Sequence, residues 1–435
     1  MKPANIRNSL SGLLLLCAMA VSLAGCAAPR TADTHTQAID AQADESQTSG
    51  LTGAPAHGST PAKKPDETFV SSQMRFAVSL FQQAAAAGGE NVLISPLSVR
   101  LALAMTANGA GGQTLAEMEA LLGGSVPLEE LNEQLRTYVG GLPSGEGTAL
   151  HIANSVWYRE ADGLTVSPDF VQCVTDAYDA QVFGAAFDDQ TAKDINNWVS
   201  QQTDGMIDNM VDRIPDVAMI YLINALAFDA EWQTPYQESD VRDGSFTSAS
   251  GEQQAVQMMH STEGRYFDTD NAVGFFKSYK GGGYSFVGIL PDEGVSLHDY
   301  IAGLDTAALL QAMQNASYGS AKISMPKFSY DYALTLNDCL IALGIPTAFD
   351  KDAADFSRLC QSAAGNCFIS KVQHKTHIEV GELGTRAGAA TKVEIAPEGA
   401  PPMSGPTIRL DRPFLYMIVD NATNLPLLIG TVTSI

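Results

Sequence analysis

The chain has 435 residues, with 25 lysines and arginines against 49 aspartates and glutamates, and its formal net charge at neutral pH is −24. A balance this acidic argues against nucleic acids and other polyanions as partners, because such ligands require basic surfaces. Beyond the amino-terminal segment, no stretch is apolar for the about 20 residues that a membrane-spanning helix needs. The composition therefore predicts an extended globular region without spanning helices.

The amino terminus has the features of an export signal. Lys2 and Arg7 precede an apolar run from Leu10 to Leu23, and the run ends at Gly25 and Cys26. The ending Leu-Ala-Gly-Cys resembles the bacterial lipobox, in which the cysteine is diacylated and becomes the first residue of the mature chain. We expect residues 1–25 to be removed and Cys26 to anchor the exported chain to the cell membrane surface. An ordinary signal peptide cleaved elsewhere is the alternative.

Residues 26–65 are rich in Ala, Thr, Gln, Ser, Asp and Pro and have almost no large apolar side chains, which predicts a flexible stalk. One long domain follows over residues 66–435, without an internal linker or repeat. Within it, Cys360 and Cys367 are close enough in sequence to bridge a short hairpin. Export permits a disulfide there, although a chain of this size does not depend on one.

Helical spacing and capping residues predict the first elements of the domain. A helix begins near residue 68, and a short buried strand covers residues 91–94. Ser95 is a natural N-cap with Pro96 at the first helical position, which predicts a buried helix over residues 97–107. Thr114 and Glu117 have the spacing of a capping box for the next helix.

The remainder of the domain is predicted to contain strands more often than helices, which favours an α+β fold with large mixed sheets. Alternating or continuous apolar runs predict strands at 151–158, 219–228, 284–290, 322–330, 413–420 and 425–432. Helices are predicted at 191–202 and 332–343.

Signatures of catalysis are missing from the sequence. There is no Gly-x-Ser-x-Gly elbow and no His-Glu-x-x-His zinc helix, and the seven histidines are scattered. Gly109 to Gly112 is glycine-rich, but no Lys-Ser/Thr follows to hold phosphates. We therefore expect neither an enzyme nor a metal or cofactor.

Several separated motifs resemble one family in order and in spacing. They are Asn91 to Ser98, Leu103 to Met105, Ile195 to Val199, Thr203 to Ile207, Leu222 to Ala225, Phe228 with Trp232, Met325 to Phe328, Leu343 to Ile345, Asp411 to Phe414 and Leu427 to Gly430. The chain resembles the serpin family over residues 69–435, nearly the whole domain.

The resemblance implies the serpin fold, with large mixed β-sheets, a helical cluster and an exposed reactive-centre loop at about residues 382–403. It implies a monomeric suicide-substrate inhibitor of serine proteases. A target protease attacks the loop and forms an acyl-enzyme, and the cleaved loop then inserts into the main sheet and traps it. A non-inhibitory serpin acting as a surface binding or scaffold protein is the alternative.

The first half of the loop is the predicted hinge, which consists of Glu382, Gly384, Thr385, Ala387, Gly388, Ala389, Ala390 and Thr391. Small side chains suit a segment that slides between two strands, because a bulky or charged group facing inward would clash or lose its hydration. Leu383 and Arg386 depart from the family pattern. We expect Arg386 to face outward after insertion, and Gly388 to slow insertion slightly.

The second half of the loop provides the reactive bond. Counting sixteen residues on from Glu382, as in inhibitory members, places the bond between Glu398 and Gly399. Glu398 suits a glutamyl-specific protease. The alternatives are Ala396 or Ala400 for an elastase-like protease, and Met403 for a chymotrypsin-like or elastase-like one.

The resemblance also assigns a group of control residues beneath the main sheet. Ser95, Ser98, Asn224 and His374 match the polar "shutter" of the family, and Trp232 matches the tryptophan of its "breach", where the loop first enters. We expect their buried hydrogen bonds to hold the sheet until the loop inserts.

Overall fold

A computed structural model describes residues 65–124, 126–160, 163–215, 218–363, 366–385 and 404–435. The predicted signal, Cys26 and the stalk up to residue 64 lie outside these ranges, as do residues 386–403 of the predicted loop. No helix in the described ranges has the length and apolarity required to cross a membrane.

The described helices lie mostly in the first half of the domain. They are α1 (Glu67–Ala86), α2 (Pro96–Ala107), α3 (Gly112–Leu122), α4 (Leu128–Gly140), α5 (Pro168–Tyr178), α6 (Asp189–Gln202), α7 (Leu297–Ala302), α8 (Thr306–Gln314) and α9 (Asn337–Ala342).

The described strands dominate the second half. They are β1 (Leu93–Ile94), β2 (Thr148–Arg159), β3 (Leu164–Val166), β4 (Gln181–Ala185), β5 (Ile220–Glu231), β6 (Val241–Thr247), β7 (Gln253–Asp268), β8 (Ala272–Ser278), β9 (Tyr284–Pro291), β10 (Ser317–Pro326), β11 (Phe328–Thr335), β12 (Cys360–Ser362), β13 (Gln373–Val380), β14 (Gly384–Thr385), β15 (Ser404–Arg409), β16 (Phe414–Asp420) and β17 (Pro426–Val432).

Two large sheets organise these strands. In the described residues, sheet A has the order β11-β13-β14-β5-β2-β4, and sheet B has the order β1-β17-β16-β9-β8-β7-β10-β15 with β6 beside β7. Strands β16 and β17 of sheet B are buried along their whole length, as expected for the continuous apolar runs from which they were predicted. The α+β prediction with large mixed sheets is confirmed.

Helix α2 forms as its sequence predicts. The Ser95 hydroxyl accepts a hydrogen bond from the Ser98 amide at 3.3 Å, and Pro96 occupies the first turn, where no intrahelical donor is required. Nearly every α2 side chain is buried, including Arg100, whose guanidinium donates to Ser72 and to the Leu122 carbonyl. The helix therefore lies inside the protein and contacts sheet A through β5 and sheet B through β17.

The predicted capping box of α3 is wrong. The helix begins at Gly112, before Thr114, so both residues of the supposed box lie inside it. The Thr114 hydroxyl instead accepts from the Asp355 amide at 2.9 Å, and the Glu117 carboxylate binds the amide and hydroxyl of Thr347. Hydrogen bonds to residues distant in the chain therefore occupy the two side chains that were predicted to cap the helix.

The predictions at 322–330 and 332–343 are also wrong in their boundaries. Two strands, β10 and β11, are separated at Lys327, and β11 extends through Tyr332 to Thr335. The helix is only Asn337–Ala342. Side chains of β11 alternate between inward and exposed from Phe328 onward, so a strand period continues where a helix was predicted.

Candidate functional site

Sheet A contains an unfilled slot. At its upper end the two-residue strand β14 pairs with β13 through Val380 and with β5 through Ala230 and Glu231. Below β14, in the part of the chain that the structure describes, no strand pairs with the facing edges of residues 220–228 and 373–379. Backbone groups on both edges are therefore placed to accept one further strand.

A cavity of about 460 Å³ fills the lower part of this slot. Its walls come from β5 and β13, and α2 contributes Ser98 and Leu103 to its floor. Met210 and Val211, from the segment that follows α6, also line it. A smaller cavity higher in the slot lies among Phe228, Ile378 and other residues below β14. The empty space therefore follows the course that an inserted strand would take.

Three of the predicted shutter residues meet at the base of the slot. The Ser95 amide donates to Nε2 of His374 at 3.0 Å, and Ser95 also caps Ser98. Because His374 accepts this bond it is neutral, and burial lowers the pKa of its imidazole to about 4. These contacts join the start of α2 to β13.

The fourth predicted shutter residue, Asn224, lies on the opposite wall of the slot. Its side-chain amide donates to Asn154 on β2 at 2.6 Å, and Asn154 in turn donates to the Tyr178 carbonyl. The buried Asn224 Oδ1 atom has no hydrogen-bond partner among the residues that the structure describes. The structure thus places His374 and Asn224 on the two facing strands, each bonded to its own side.

The start of the predicted hinge already lies in sheet A. Gly384 and Thr385 form β14, and a Cβ atom at position 384 would collide with the Ala230 carbonyl. Only glycine fits at this close approach of two backbones. Thr385 is buried, and its hydroxyl is hydrogen-bonded to the hydroxyl of Tyr279.

Trp232 and Tyr279 form the seat of the hinge. Their rings are stacked with centroids 4.5 Å apart, and both side chains are almost completely buried. The Trp232 indole donates to the Gly381 carbonyl at 2.8 Å, while its backbone amide donates to the Leu383 carbonyl at 2.7 Å. The chain entering the loop is therefore bound on both sides of Glu382.

Glu382 is held by an ion pair with Lys327, with Oε1 and Nζ 2.7 Å apart. The hydrogen bond from Lys327 holds the pKa of the Glu382 carboxyl below its usual range. Both side chains are about one-third exposed, so solvent screening limits the pair to about 0.2–1 kcal/mol. The backbone carbonyl of Glu382 also accepts from the Tyr236 amide at 2.9 Å.

A second ion pair connects β13 to the segment that follows α6. Asp212 and Lys375 approach to 2.9 Å, and the bond from Lys375 lowers the pKa of Asp212. Because Met210 and Val211 of this segment line the cavity, the pair holds one wall of the cavity against β13. We call it the strap.

Cys360 and Cys367 are joined as a disulfide in the structure. Cys360 is buried in β12, which pairs with β3, and Cys367 lines the cavity at the lower end of the slot. The bond ties the segment before β13 to the body of the domain.

Comparisons with known proteins agree with this architecture. The sequence profile described as "Serpin (serine protease inhibitor)" matches residues 71–435. The chain belongs to the serpin family. This serpin is 30% identical over 362 residues to an uncharacterized serpin-like protein of Thermococcus kodakarensis, covering 82% of this chain and 83% of the relative. It is 27% identical to leukocyte elastase inhibitor A of Mus musculus over 392 residues, covering 85% and 100%.

Two solved structures of the thermophilic serpin tengpin are similar to this serpin. The native state superposes with a TM-score of 0.83 at 45% identity, covering 89% of this chain and 100% of tengpin. The latent state gives 0.76 at 44% identity, covering 86% and 99%. The greater similarity to the native state agrees with a slot that, among the described residues, is filled only by β14 at its upper end. The predicted serpin fold is confirmed.

The remaining site predictions lie outside the described residues. They are the hinge residues Ala387, Gly388, Ala389, Ala390 and Thr391, and the reactive-bond candidates Ala396, Glu398, Gly399, Ala400 and Met403. Conversely, the sequence did not indicate Tyr279, the Lys327 partner of Glu382 or the strap. Their partners are distant in the chain, and no local pattern marks them.

Proposed function

We propose that this serpin inhibits serine proteases as a suicide substrate. The observation that carries the proposal is the unfilled slot between β5 and β13, with the hinge already seated at its entrance. A cleaved loop that continued downward from Thr385 would add ladder hydrogen bonds to two open strand edges and fill the 460 Å³ cavity. Because Gly384 and Thr385 already lie between β5 and β13, the rest of the loop can follow them into the sheet.

The reaction follows the chemistry of the protease. The protease serine oxygen attacks the carbonyl carbon of residue 398, the bond to Gly399 breaks, and the amine leaves with a proton. Insertion of the cleaved loop then moves the acyl-enzyme before water can hydrolyse it. The bond Glu398–Gly399 fits a glutamyl-specific protease, and Ala396, Ala400 or Met403 would fit elastase-like or chymotrypsin-like proteases.

We also propose where the inhibitor acts and how it is attached there. The lipobox-like ending at Cys26 supports a bacterial, exported inhibitor that its lipid anchors to the extracytoplasmic surface of the cell membrane. Residues 26–65 would act as the spacer between the anchor and the inhibitory domain. We propose that the domain acts as a monomer.

The test is incubation of residues 26–435 with an elastase-like, a chymotrypsin-like and a glutamyl-specific protease. We expect at least one covalent complex that survives boiling in detergent, and mass spectrometry of the released fragment identifies the reactive bond. Cleavage in the loop should also raise the melting temperature sharply, because insertion adds a strand to sheet A. Cleavage without a complex or a thermal gain would indicate the non-inhibitory alternative.

Thr385→Arg tests the insertion step. Thr385 is buried in β14, so an arginine there would place an unpaired charge inside sheet A. We expect cleavage of the loop to continue while the stable complex is lost, which turns the inhibitor into a substrate. Arg386→Ala is the matched control, since that side chain is expected to face outward and inhibition should persist. Undiminished inhibition by Thr385→Arg would show that inhibition does not depend on insertion of the loop at this position.

A further inference from the structure

The disulfide between Cys360 and Cys367 lies where the end of an inserted loop would arrive. At the top of the slot, Thr385 of β14 pairs with Val380 of the antiparallel strand β13. In such a pair, each residue further along the loop faces one residue further back in β13. A strand that continued in this register would bring residue 398 level with Cys367. The proposed reactive residue would therefore stop beside the disulfide.

Residues 367–372 form one wall of the cavity at the lower end of the slot, and we call them the landing segment. They precede β13, which begins at Gln373, so the landing segment rather than β13 itself would receive residues 393–398 of an inserted loop. In the same register Glu394 would face the exposed Lys371, and opposite charges on neighbouring chains attract. The landing segment is therefore placed to contact the last part of the loop.

Hydrogen bonds and the disulfide hold the landing segment in place. The Ile369 amide donates to the Ala348 carbonyl at 2.9 Å, and the side chain of Asn337 in α9 accepts from the last amide of the segment at 2.8 Å. The disulfide joins the first residue of the segment, Cys367, to Cys360 of β12. Cys360 is buried and β12 is paired with β3, so the covalent bond fixes the segment to a well-anchored part of the domain.

A reductant can reach this disulfide through Cys367, which is partly exposed, whereas Cys360 is buried. A thiolate of a small dithiol would attack the Cys367 sulfur, and the bond to the Cys360 sulfur would break. The second thiol of the reductant would then resolve the mixed disulfide. The dithiol is oxidised to a cyclic disulfide, while both cysteine sulfurs take up a proton and become thiols. Two electrons and two protons therefore pass from the dithiol to the protein.

We propose that the Cys360–Cys367 disulfide is a redox switch for the last stage of loop insertion. With the bond formed, the landing segment stays fixed to β12 and supports residues 393–398, which keeps the acyl-enzyme at the end of the slot. Reduction by a dithiol frees the segment, so the inserted end is held less tightly and the trapped protease escapes sooner. The first steps at Gly384 and Thr385 occur at the opposite end of the slot and are unaffected. This inference rests on the proposed function and deepens it.

The test measures how strongly insertion and the disulfide are coupled. The protein is residues 26–435 with its other cysteines replaced, by Cys26→Ser, Cys173→Ser and Cys339→Ser. A metalloprotease cuts the loop between residues 396 and 403, which permits insertion without an acyl-enzyme, and mass spectrometry verifies the position of the cut. Cut and uncut proteins are equilibrated with mixtures of reduced and oxidised dithiothreitol. Thiols at Cys360 and Cys367 are then alkylated and counted by mass spectrometry.

Insertion and the disulfide must affect each other by the same factor, because a coupling free energy is reciprocal. We therefore expect half reduction of the cut protein to require an about tenfold higher ratio of reduced to oxidised dithiothreitol than half reduction of the uncut protein. The rise in melting temperature on cutting should also be larger for the oxidised protein than for the reduced one. Half-reduction ratios that agree within about twofold for cut and uncut protein would overturn the proposal.

Controls separate the disulfide from other effects of the reductant. Cys360→Ser combined with Cys367→Ser should behave like the reduced protein whether or not dithiothreitol is present. The wild-type chain, alkylated and counted at the same two cysteines, repeats the measurement without substitutions. The initial rate of the Trp232 fluorescence change after the cut should be equal for oxidised and reduced protein. A different initial rate would place the effect on the whole sheet rather than on the last stage, and would also overturn the proposal.

Active serine proteases separate this proposal from the inhibitory one. For each protease that is trapped, we expect the covalent complex to release active protease about tenfold faster after reduction. If no protease is trapped, but the half-reduction ratio still rises about tenfold on cutting, the redox switch stands and suicide-substrate inhibition fails. If complexes form and the half-reduction ratios are equal, inhibition stands and the redox switch fails.

Discussion

At the scale of single residues, Thr385 shows how the predicted hinge depends on particular side chains. It lies between two strands, with its backbone paired to Ala230 and Val380 and its hydroxyl bonded to Tyr279. A threonine is small enough for this position and still satisfies a buried polar partner. The neighbouring Gly384 is required by the close Ala230 carbonyl. The close approach of the Ala230 backbone therefore requires glycine at position 384, and the hydrogen bond to Tyr279 favours threonine at position 385.

Tyr279→Phe should loosen this seat without removing the ring that stacks on Trp232. The variant leaves the Thr385 hydroxyl buried with one partner fewer, which costs about 1 kcal/mol of unfolding free energy. We expect faster hydrogen exchange at the Gly384 and Thr385 amides, measured by mass spectrometry. Tyr284→Phe is the control: it removes a hydrogen bond from Tyr284 of β9 to the Pro143 carbonyl and should leave the exchange of these amides unchanged. Equal exchange rates in the wild type and Tyr279→Phe would show that the Tyr279 hydroxyl does not hold Thr385 in place.

His374 makes the fold sensitive to acid. Its pKa falls from 6.5 to about 4 through burial, so between these values the unfolded chain binds a proton that the folded chain does not. The contribution is fully present above about pH 6.5 and is lost as the pH falls toward 4. Protonation would also remove the acceptor for the Ser95 amide.

We expect His374 to account for about 2 to 3 kcal/mol of the unfolding free energy lost between pH 7.5 and 4.5. Denaturant unfolding at both pH values measures this, and His374→Gln should show a correspondingly smaller loss. The exposed His298→Gln serves as the control and should keep the wild-type pH dependence. If His374→Gln and the wild type lose equal stability, burial of a neutral imidazole is not the cause.

At the scale of elements, the slot depends on which strands can separate. Strand β5 is paired along its length with β2, and β13 is paired along its length with β11, whereas between β5 and β13 the pairing is limited to β14. Outside β14, the strap joins β13 to the segment that follows α6. Met210 and Val211 of this segment line the cavity, so a strand that enters the slot must displace the segment, and the Asp212–Lys375 pair holds it against β13.

Asp212→Asn should therefore speed insertion. Asp212 is 65% exposed, so the pair contributes only about 0.2–1 kcal/mol and the rate gain should be at most about fivefold. Tryptophan fluorescence after proteolytic cleavage of the loop follows insertion, with Trp232 as the nearest reporter. Asp208→Asn removes a charge from the same segment and should leave the rate unchanged. An insertion rate for Asp212→Asn equal to that of the control would show that the strap does not restrain the slot.

Elements with strong local signals were predicted correctly from the sequence. Helix α2 has its cap and proline, and β16 and β17 are continuous apolar runs. Local signals failed where tertiary partners compete for a side chain. Thr114 and Glu117 bind Asp355 and Thr347 instead of capping α3.

At the scale of the whole molecule, two sheets share the buried helix α2 between them. Sheet B is paired without interruption from β1 to β15 in the described residues, whereas sheet A is open below β14. In the proposed mechanism, sheet B would hold the helix while sheet A accepts the cleaved loop.

The sequence by itself determined the family, the fold class and the small-residue composition of the hinge, because each depends on residue types at fixed spacing along the chain. It also supplied Ser95, His374 and Trp232, since these match motifs with recognisable neighbours. Only the tertiary structure decided that Gly384 and Thr385 already lie in sheet A and that Tyr279 bonds the Thr385 hydroxyl. These features join residues that are distant in the chain, and their contacts are fixed by strand register and burial rather than by any local pattern.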